Sequence, residues 1–240
     1  MKKGCSFLSG ALAVSILILL LLILVYTLKS KNIILSNDTS ENGGLVSVEI
    51  NSEMDNNDTA STKTHTPDWI APFKDTIIQD ILPLNEFSRP GTKLEKVNAI
   101  VVHYVGNPGT TAEQNRGFYE SIIETQETSV SSHYIVGMEG EIIQCVPLDE
   151  VSYASNNRNS DTIAVECCHP DDTGEFTSLT YASAVKLVAY LCYEFGLEPE
   201  TDVIRHYDIT GKGCPRYFVN NEDAWIGFKE DVEKAMDSDK

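Results

Sequence analysis

Near its C-terminal end the chain reads His206-Tyr207-Asp208-Ile209-Thr210-Gly211-Lys212-Gly213-Cys214-Pro215. An imidazole and a thiol stand eight positions apart across a glycine-bracketed turn, with a lysine two residues before the thiol. One compact loop of that composition can converge three reactive side chains. A metal site needs one more ligand, and His103 is the candidate, ending the apolar run Val97-Asn98-Ala99-Ile100-Val101-Val102. Two imidazoles and a thiolate form a recognised donor set for zinc, and three protein ligands with a fourth position left to water is the catalytic arrangement. Taken singly, a histidine at a strand end is usually hydrogen-bonded structure, and an isolated glutamate there is usually solvated. The joint pattern carries the weight.

The elements that must position these groups follow from periodicity. The run ending at His103 alternates Val97, Ala99, Val101 and His103 on one face against Ile100 and Val102 on the other, which predicts a central strand covered from both sides. Thr110 and Glu113 have capping-box spacing ahead of a helix carrying Phe118, Tyr119, Ile122 and Ile123. His133 to Val146 is two apolar runs around a glycine-bracketed turn, a hairpin signal. Asp161 to Cys167 reads as a strand with Ile163 and Val165 on one face and Ala164 and Glu166 on the other. Thr180 is the expected cap of a long helix that Gly196 ends, and Asn221 to Met236 is an amphipathic helix with Trp225, Phe228 and Val232 inward. The order of elements predicts an α/β domain, a mixed central sheet flanked by helices. His103, Glu166 and His206 each end a predicted strand, and that edge is where open α/β sheets gather ligand-binding groups.

The 240 residues carry a formal net charge of -18 with 42% hydrophobic side chains. That composition is a folded protein's, and the excess acid argues against nucleic acid as a partner. Residues 1–6 are a short polar N-terminus, expected on the cytoplasmic side. Residues 7–28 carry no charge, and about 22 residues at ~1.5 Å each span a bilayer. No small-x-small cleavage site follows before Lys29, so the segment reads as an uncleaved anchor, with a cleaved leader as the other reading. Residues 29–75 turn acidic and polar without periodicity and read as a disordered tether with a reach of roughly 35 to 40 Å. Residues 76–236 form the expected catalytic domain, and 237–240 a tail. Most cysteines read as small core hydrophobes, and the adjacent Cys167 and Cys168 must face opposite sides of their strand.

On the residues alone three readings stand: a metal hydrolase, an enzyme using Cys214 as nucleophile with His206, and a binding module. Five segments in order then carry a resemblance: Ile100-Val101-Val102-His103-Tyr104, Ser132-His133-Tyr134, Ile163-Ala164-Val165-Glu166, Arg205-His206-Tyr207-Asp208 and Gly211-Lys212-Gly213-Cys214-Pro215. Between about Pro83 and Val232 the chain resembles the type 2 N-acetylmuramoyl-L-alanine amidases, relatives of the peptidoglycan recognition proteins and of phage T7 lysozyme. The resemblance implies zinc held by His103, His206 and Cys214. It implies hydrolysis of the amide between the lactyl group of muramic acid and L-alanine of the peptidoglycan stem peptide. Glu166 matches the family's catalytic glutamate and Lys212 its catalytic lysine. A peptidoglycan-binding sensor is the alternative, and Cys214 places the chain with the hydrolases, because members that bind without cutting commonly lack that cysteine. One position departs: phage members carry a tyrosine before the histidine matching His133, and here it is Ser132. His133 is expected as a substrate contact, an indirect support or a hairpin histidine with no task, and His169 has no match. Anchor, tether and wall-cutting domain together imply a bacterial protein attached to the plasma membrane by one pass, its catalytic domain on the wall side.

Overall fold

The structure, a computed structural model, describes residues 66–237. The expected anchor at 7–28, the short N-terminus before it and most of the tether lie outside the described residues, as do Cys5, His65 and residues 238–240 of the tail. Among the described residues no helix is long and apolar enough to cross a membrane.

A short helix opens the described chain, α1 (Ile70–Lys74), followed by β1 (Ile78–Gln79), β2 (Ala99–Tyr104), α2 (Ala112–Thr125), β3 (Tyr134–Val136), β4 (Ile142–Gln144), a 3-10 turn (Asn156–Arg158) and β5 (Thr162–Cys167). Then come α3 (Ser178–Phe195), α4 (Pro199–Asp202), β6 (Val203–Arg205), α5 (His206–Thr210), α6 (Arg216–Asn220) and α7 (Glu222–Met236). The helix α1 falls inside the stretch expected as tether. Its Ile70 and Phe73 are buried, and Phe73 meets Tyr190 of α3 at 6.0 Å between ring centroids. Apolar side chains clustered within a few residues offset the ordering entropy that the surrounding polar composition alone could not.

The strands form one six-stranded sheet in the order β1-β4-β3-β5-β2-β6. Only the β3/β4 hairpin pairs antiparallel; the remaining pairings are parallel. As expected, β2 is an interior strand, and Ile100, Val101 and Val102 are wholly buried. Its Ile100 and Val102, with Ile163 and Val165 of β5, join a large apolar layer under α3 and α7, where Leu187, Val188, Phe228 and Val232 pack. Ile135, Ile143 and Cys145 join a smaller layer on the other face together with Ala112 and Tyr119 of α2. Cys167 belongs to the first layer and Cys168 to the second, as the period of two requires. No disulfide joins the cysteines among the described residues.

Two helix starts differ from expectation. The cap of α2 is Thr111, not Thr110: its hydroxyl accepts from the Gln114 amide while the Gln114 side chain accepts from the Thr111 N–H. Both threonines have the capping-box spacing, and Thr110 instead donates to the Asn107 carbonyl at 2.7 Å. Likewise Thr177 caps α3, and Thr180 sits in its first turn, buried and donating to the Gly137 carbonyl at 2.9 Å. Gly196 ends α3 at φ +67°, a left-handed conformation that glycine adopts without cost.

Candidate metal centre

The parallel register sets His103 of β2 directly beside Glu166 of β5 at the C-terminal rim of the sheet. His206 is the first residue after β6, which pairs with the other side of β2. Both imidazoles and the glutamate thus stand on one rim because three parallel strands end together.

Cys214 is returned to that rim by the loop that leaves α5. Gly211 ends the helix at φ +76°, and the Tyr207 N–H donates to the Cys214 carbonyl at 2.9 Å, closing the loop on its own start. Arg205 fixes the loop from below. Its guanidinium donates to Asp208, to the Phe218 carbonyl and to Glu222, and it lies between the rings of Tyr207 and Trp225. A planar, always charged fork is suited to tying three backbone segments at once.

The donor atoms of His103, His206 and Cys214 lie within 4.8 Å of one another, and all three residues are buried. The His103 Nδ1 is 3.8 Å from the Cys214 sulfur and 3.9 Å from Glu166 Oε1. Other ring nitrogens are occupied elsewhere: His103 Nε2 lies 3.4 Å from the Ser155 hydroxyl, and His206 Nε2 lies 2.8 Å from the Asn156 amide oxygen.

The electrostatics are those of a site short of positive charge at its centre. Burial holds the His103 pKa well below the usual imidazole range and lowers that of His206, with the Lys212 ammonium adding to both effects. Burial pushes the Glu166 carboxyl up to about 8 against the pull of Lys212, and the Cys214 thiol up to about 12. One Glu166 oxygen, Oε2, is buried without a hydrogen-bond partner. A cation among these donors would draw both acids back toward their charged forms. Lys212 is exposed, yet its charge acts on His103, His206, Glu166 and Cys214 alike.

The donor chemistry fits zinc. Two imidazoles and a sulfur, an orphaned carboxylate oxygen beside them, and imidazoles biased to the neutral form are what a three-ligand site with an open position requires. The arrangement does not suit a cysteine nucleophile. Cys214 is 2% exposed and its thiol is raised rather than lowered, whereas an attacking thiolate needs access and a depressed pKa.

His133 lies apart from the cluster. The ring is wholly buried. Its Nδ1 accepts from the Ala164 N–H at 3.0 Å and sits 3.0 Å from the Ser152 hydroxyl, so the proton is on Nε2, which faces the Glu150 carbonyl at 2.9 Å. With both nitrogens committed and no open surface, it ties β5 to the segment after β4. Burial lowers its pKa to about 4. His169 is also buried, stacked on Tyr104 at 4.9 Å with Nδ1 2.7 Å from the Asp171 carbonyl.

Ser155 and Asn156 are the site residues that the sequence did not reveal. They lie in a polar loop with no periodicity, and only their partners across the sheet give them a task.

The family model for N-acetylmuramoyl-L-alanine amidase matches residues 93–217. The chain is 34% identical over 175 residues to the N-acetylmuramoyl-L-alanine amidase BlyA of Bacillus subtilis (strain 168), covering 65% of this chain and 46% of that protein. It is 31% identical to the N-acetylmuramoyl-L-alanine amidase CwlL of Bacillus licheniformis, covering 67% and 47%. The chain thus spans about half the length of the curated relatives it matches. Among solved structures it resembles the catalytic domain of XlyA with a TM-score of 0.55 and 27% identity, covering 65% of this chain and 98% of that one. The PlyG catalytic domain is similar, with a TM-score of 0.56 and 25% identity over 67% of this chain and 94% of that one.

Proposed function

The chain belongs to the N-acetylmuramoyl-L-alanine amidase family, and from that premise we propose that it is a zinc-dependent hydrolase of peptidoglycan. It cuts the amide between the lactyl group of N-acetylmuramic acid and L-alanine of the stem peptide. The observation that carries the reading is the convergence of His103 with His206 and Cys214, from two distant parts of the chain, on one point beside Glu166.

His103, His206 and Cys214 would hold the metal. When bound, zinc supplies Lewis acidity at the reacting carbonyl. Glu166 stands at the same rim with one oxygen unspent, the placement of a general base that takes a proton from the attacking water and returns it to the leaving amine. A carboxyl raised toward neutrality by burial is suited to both halves of that transfer. The Lys212 ammonium, whose field reaches every member of the cluster, stabilises the negative charge that develops on the carbonyl oxygen.

The apolar stretch at 7–28 supports attachment to a membrane, and the wall-cutting chemistry of the folded part supports its lying on the wall side; the full chain is then expected in the membrane fraction and open to protease added to intact spheroplasts. Digestion of purified peptidoglycan, followed by mass spectrometry, tests the activity. Stem peptides with a free L-alanine amine should be released, the release should stop with chelator and resume with zinc, and intact muropeptides after digestion would refute the assignment.

A further inference from the structure

The ring nitrogens left over by the candidate metal cluster all face one short turn. His103 Nε2 is 3.4 Å from Ser155 Oγ, and His206 Nε2 is 2.8 Å from Asn156 Oδ1. Ser155 and Asn156 are consecutive, so a single turn touches both imidazoles although one stands in β2 and the other follows β6. An amide oxygen accepts and cannot donate, so its partner nitrogen carries the proton. In a neutral ring that leaves the lone pair on Nδ1 of His206. For His103, the nitrogen not facing the turn is Nδ1, the one that points at Cys214.

We propose that the Ser155–Asn156 turn is a positioning device for both imidazoles, holding the His206 proton on Nε2 and fixing the His103 ring through the Ser155 hydroxyl, so that the Nδ1 side of each ring is left for the metal. The inference rests on the zinc reading above and deepens it. The two residues act through the histidines and touch neither substrate nor metal.

The turn is itself held in place. Asn159 Oδ1 accepts from the backbone N–H groups of Ala154 and Ser155, the latter at 2.6 Å, and the Arg158 N–H donates to the Ser155 carbonyl at 3.0 Å. Upstream, His133 fastens the same segment to the sheet through Ser152 and Glu150. Ser155 is 1% exposed, which keeps water from competing for its hydroxyl. Asn156 has φ +54°, a left-handed conformation that most side chains disfavour by roughly 1–2 kcal/mol and that asparagine tolerates better than most. The opposite orientation of the Asn156 amide would turn it into a donor, move the His206 proton to Nδ1 and close that nitrogen to a metal. The proposal therefore commits to one tautomer.

The test uses Asn156→Gly, which removes the amide while relieving the backbone at φ +54°, and Asn156→Asp, which retains an acceptor. Zinc affinity is measured by competition with a chromophoric chelator, and the His206 tautomer by long-range proton–nitrogen correlation on the metal-free chain. The wild type should show His206 as the Nε2–H form. Asn156→Gly should mix the tautomers and weaken zinc binding about 10- to 100-fold, the range for loss of an outer partner, and Asn156→Asp should recover most of that loss. An Asn156→Gly chain with unchanged tautomer and zinc affinity within about twofold of wild type would overturn the inference and leave the metal reading standing. A wild type that holds the Nε2–H form but takes up no zinc would overturn both.

Discussion

Two buried histidine regions on the same sheet are treated in opposite ways. At the hairpin, His133 uses Nδ1 for the Ala164 N–H and Nε2 for the Glu150 carbonyl, so nothing in the ring is unspent. At the rim, His103 and His206 each have one nitrogen tied to the Ser155–Asn156 turn and the other turned into a cluster with Cys214 and a carboxyl whose Oε2 has no partner. Desolvation is comparable in cause at both, since burial lowers the pKa of all three rings. What separates His133 from the candidate ligands His103 and His206 is the inventory of its nitrogens, and burial alone does not distinguish them.

The comparison breaks first on the ligands. Cys214→Ala or His103→Ala should abolish stoichiometric zinc and reduce amidase activity to background, measured by metal analysis and wall digestion on the same samples. Retention of both would place the metal elsewhere. Glu166→Gln should lower kcat about 10²- to 10⁴-fold, the usual contribution of general acid–base catalysis, while zinc stays at the wild-type level. Loss of metal in that variant would make Glu166 a ligand instead.

On the hairpin side the expected effect is stability. His133→Ala leaves the Ala164 N–H and the Glu150 carbonyl without their ring partner and opens a cavity, at a cost of roughly 2–4 kcal/mol in urea denaturation, with zinc still bound. A variant of wild-type stability that fails to bind zinc would reverse the assignment of the two regions.

The smallest effect is a pH dependence of the metal-free chain. The Glu166 pKa is raised to about 8 from 4.5, so between these values the folded state binds the extra proton and stability falls as pH rises. His133 is lowered to about 4 from 6.5, so in that interval the unfolded state binds the proton and stability rises with pH. Above pH 6.5 only the Glu166 contribution is left of the two. Metal-free wild type should therefore lose stability between pH 6.5 and 8 by denaturant midpoint, and Glu166→Gln should flatten that loss. An unaltered slope in the variant would show that the carboxyl is not the group responsible.

The sequence made the rim legible because its chemistry sits at strand ends, where alternation and run length are easy to read. His103 ends an apolar run, and the His206 to Cys214 loop is bracketed by glycines. Helix starts were legible only to within a turn, since Thr110 and Thr111, or Thr177 and Thr180, meet the same local rule and packing chooses between them. The helix α1 escaped because a polar average hid Ile70 and Phe73. The residues around the candidate ligands escaped for a different reason: Ser155 and Asn156 make contacts 50 or more positions away, which no local pattern encodes. His133 was visible as a histidine in a hairpin, but whether its nitrogens were spent depended on Ser152 and Glu150 from the following loop.

Zinc-edge X-ray absorption on the purified full chain tests the central claim most directly. The account predicts one zinc per chain with two nitrogen neighbours at about 2.0–2.1 Å, one sulfur at about 2.3 Å and one further light atom, the sulfur disappearing in Cys214→Ser. A first shell without sulfur, or a spectrum unchanged by Cys214→Ser, would contradict it.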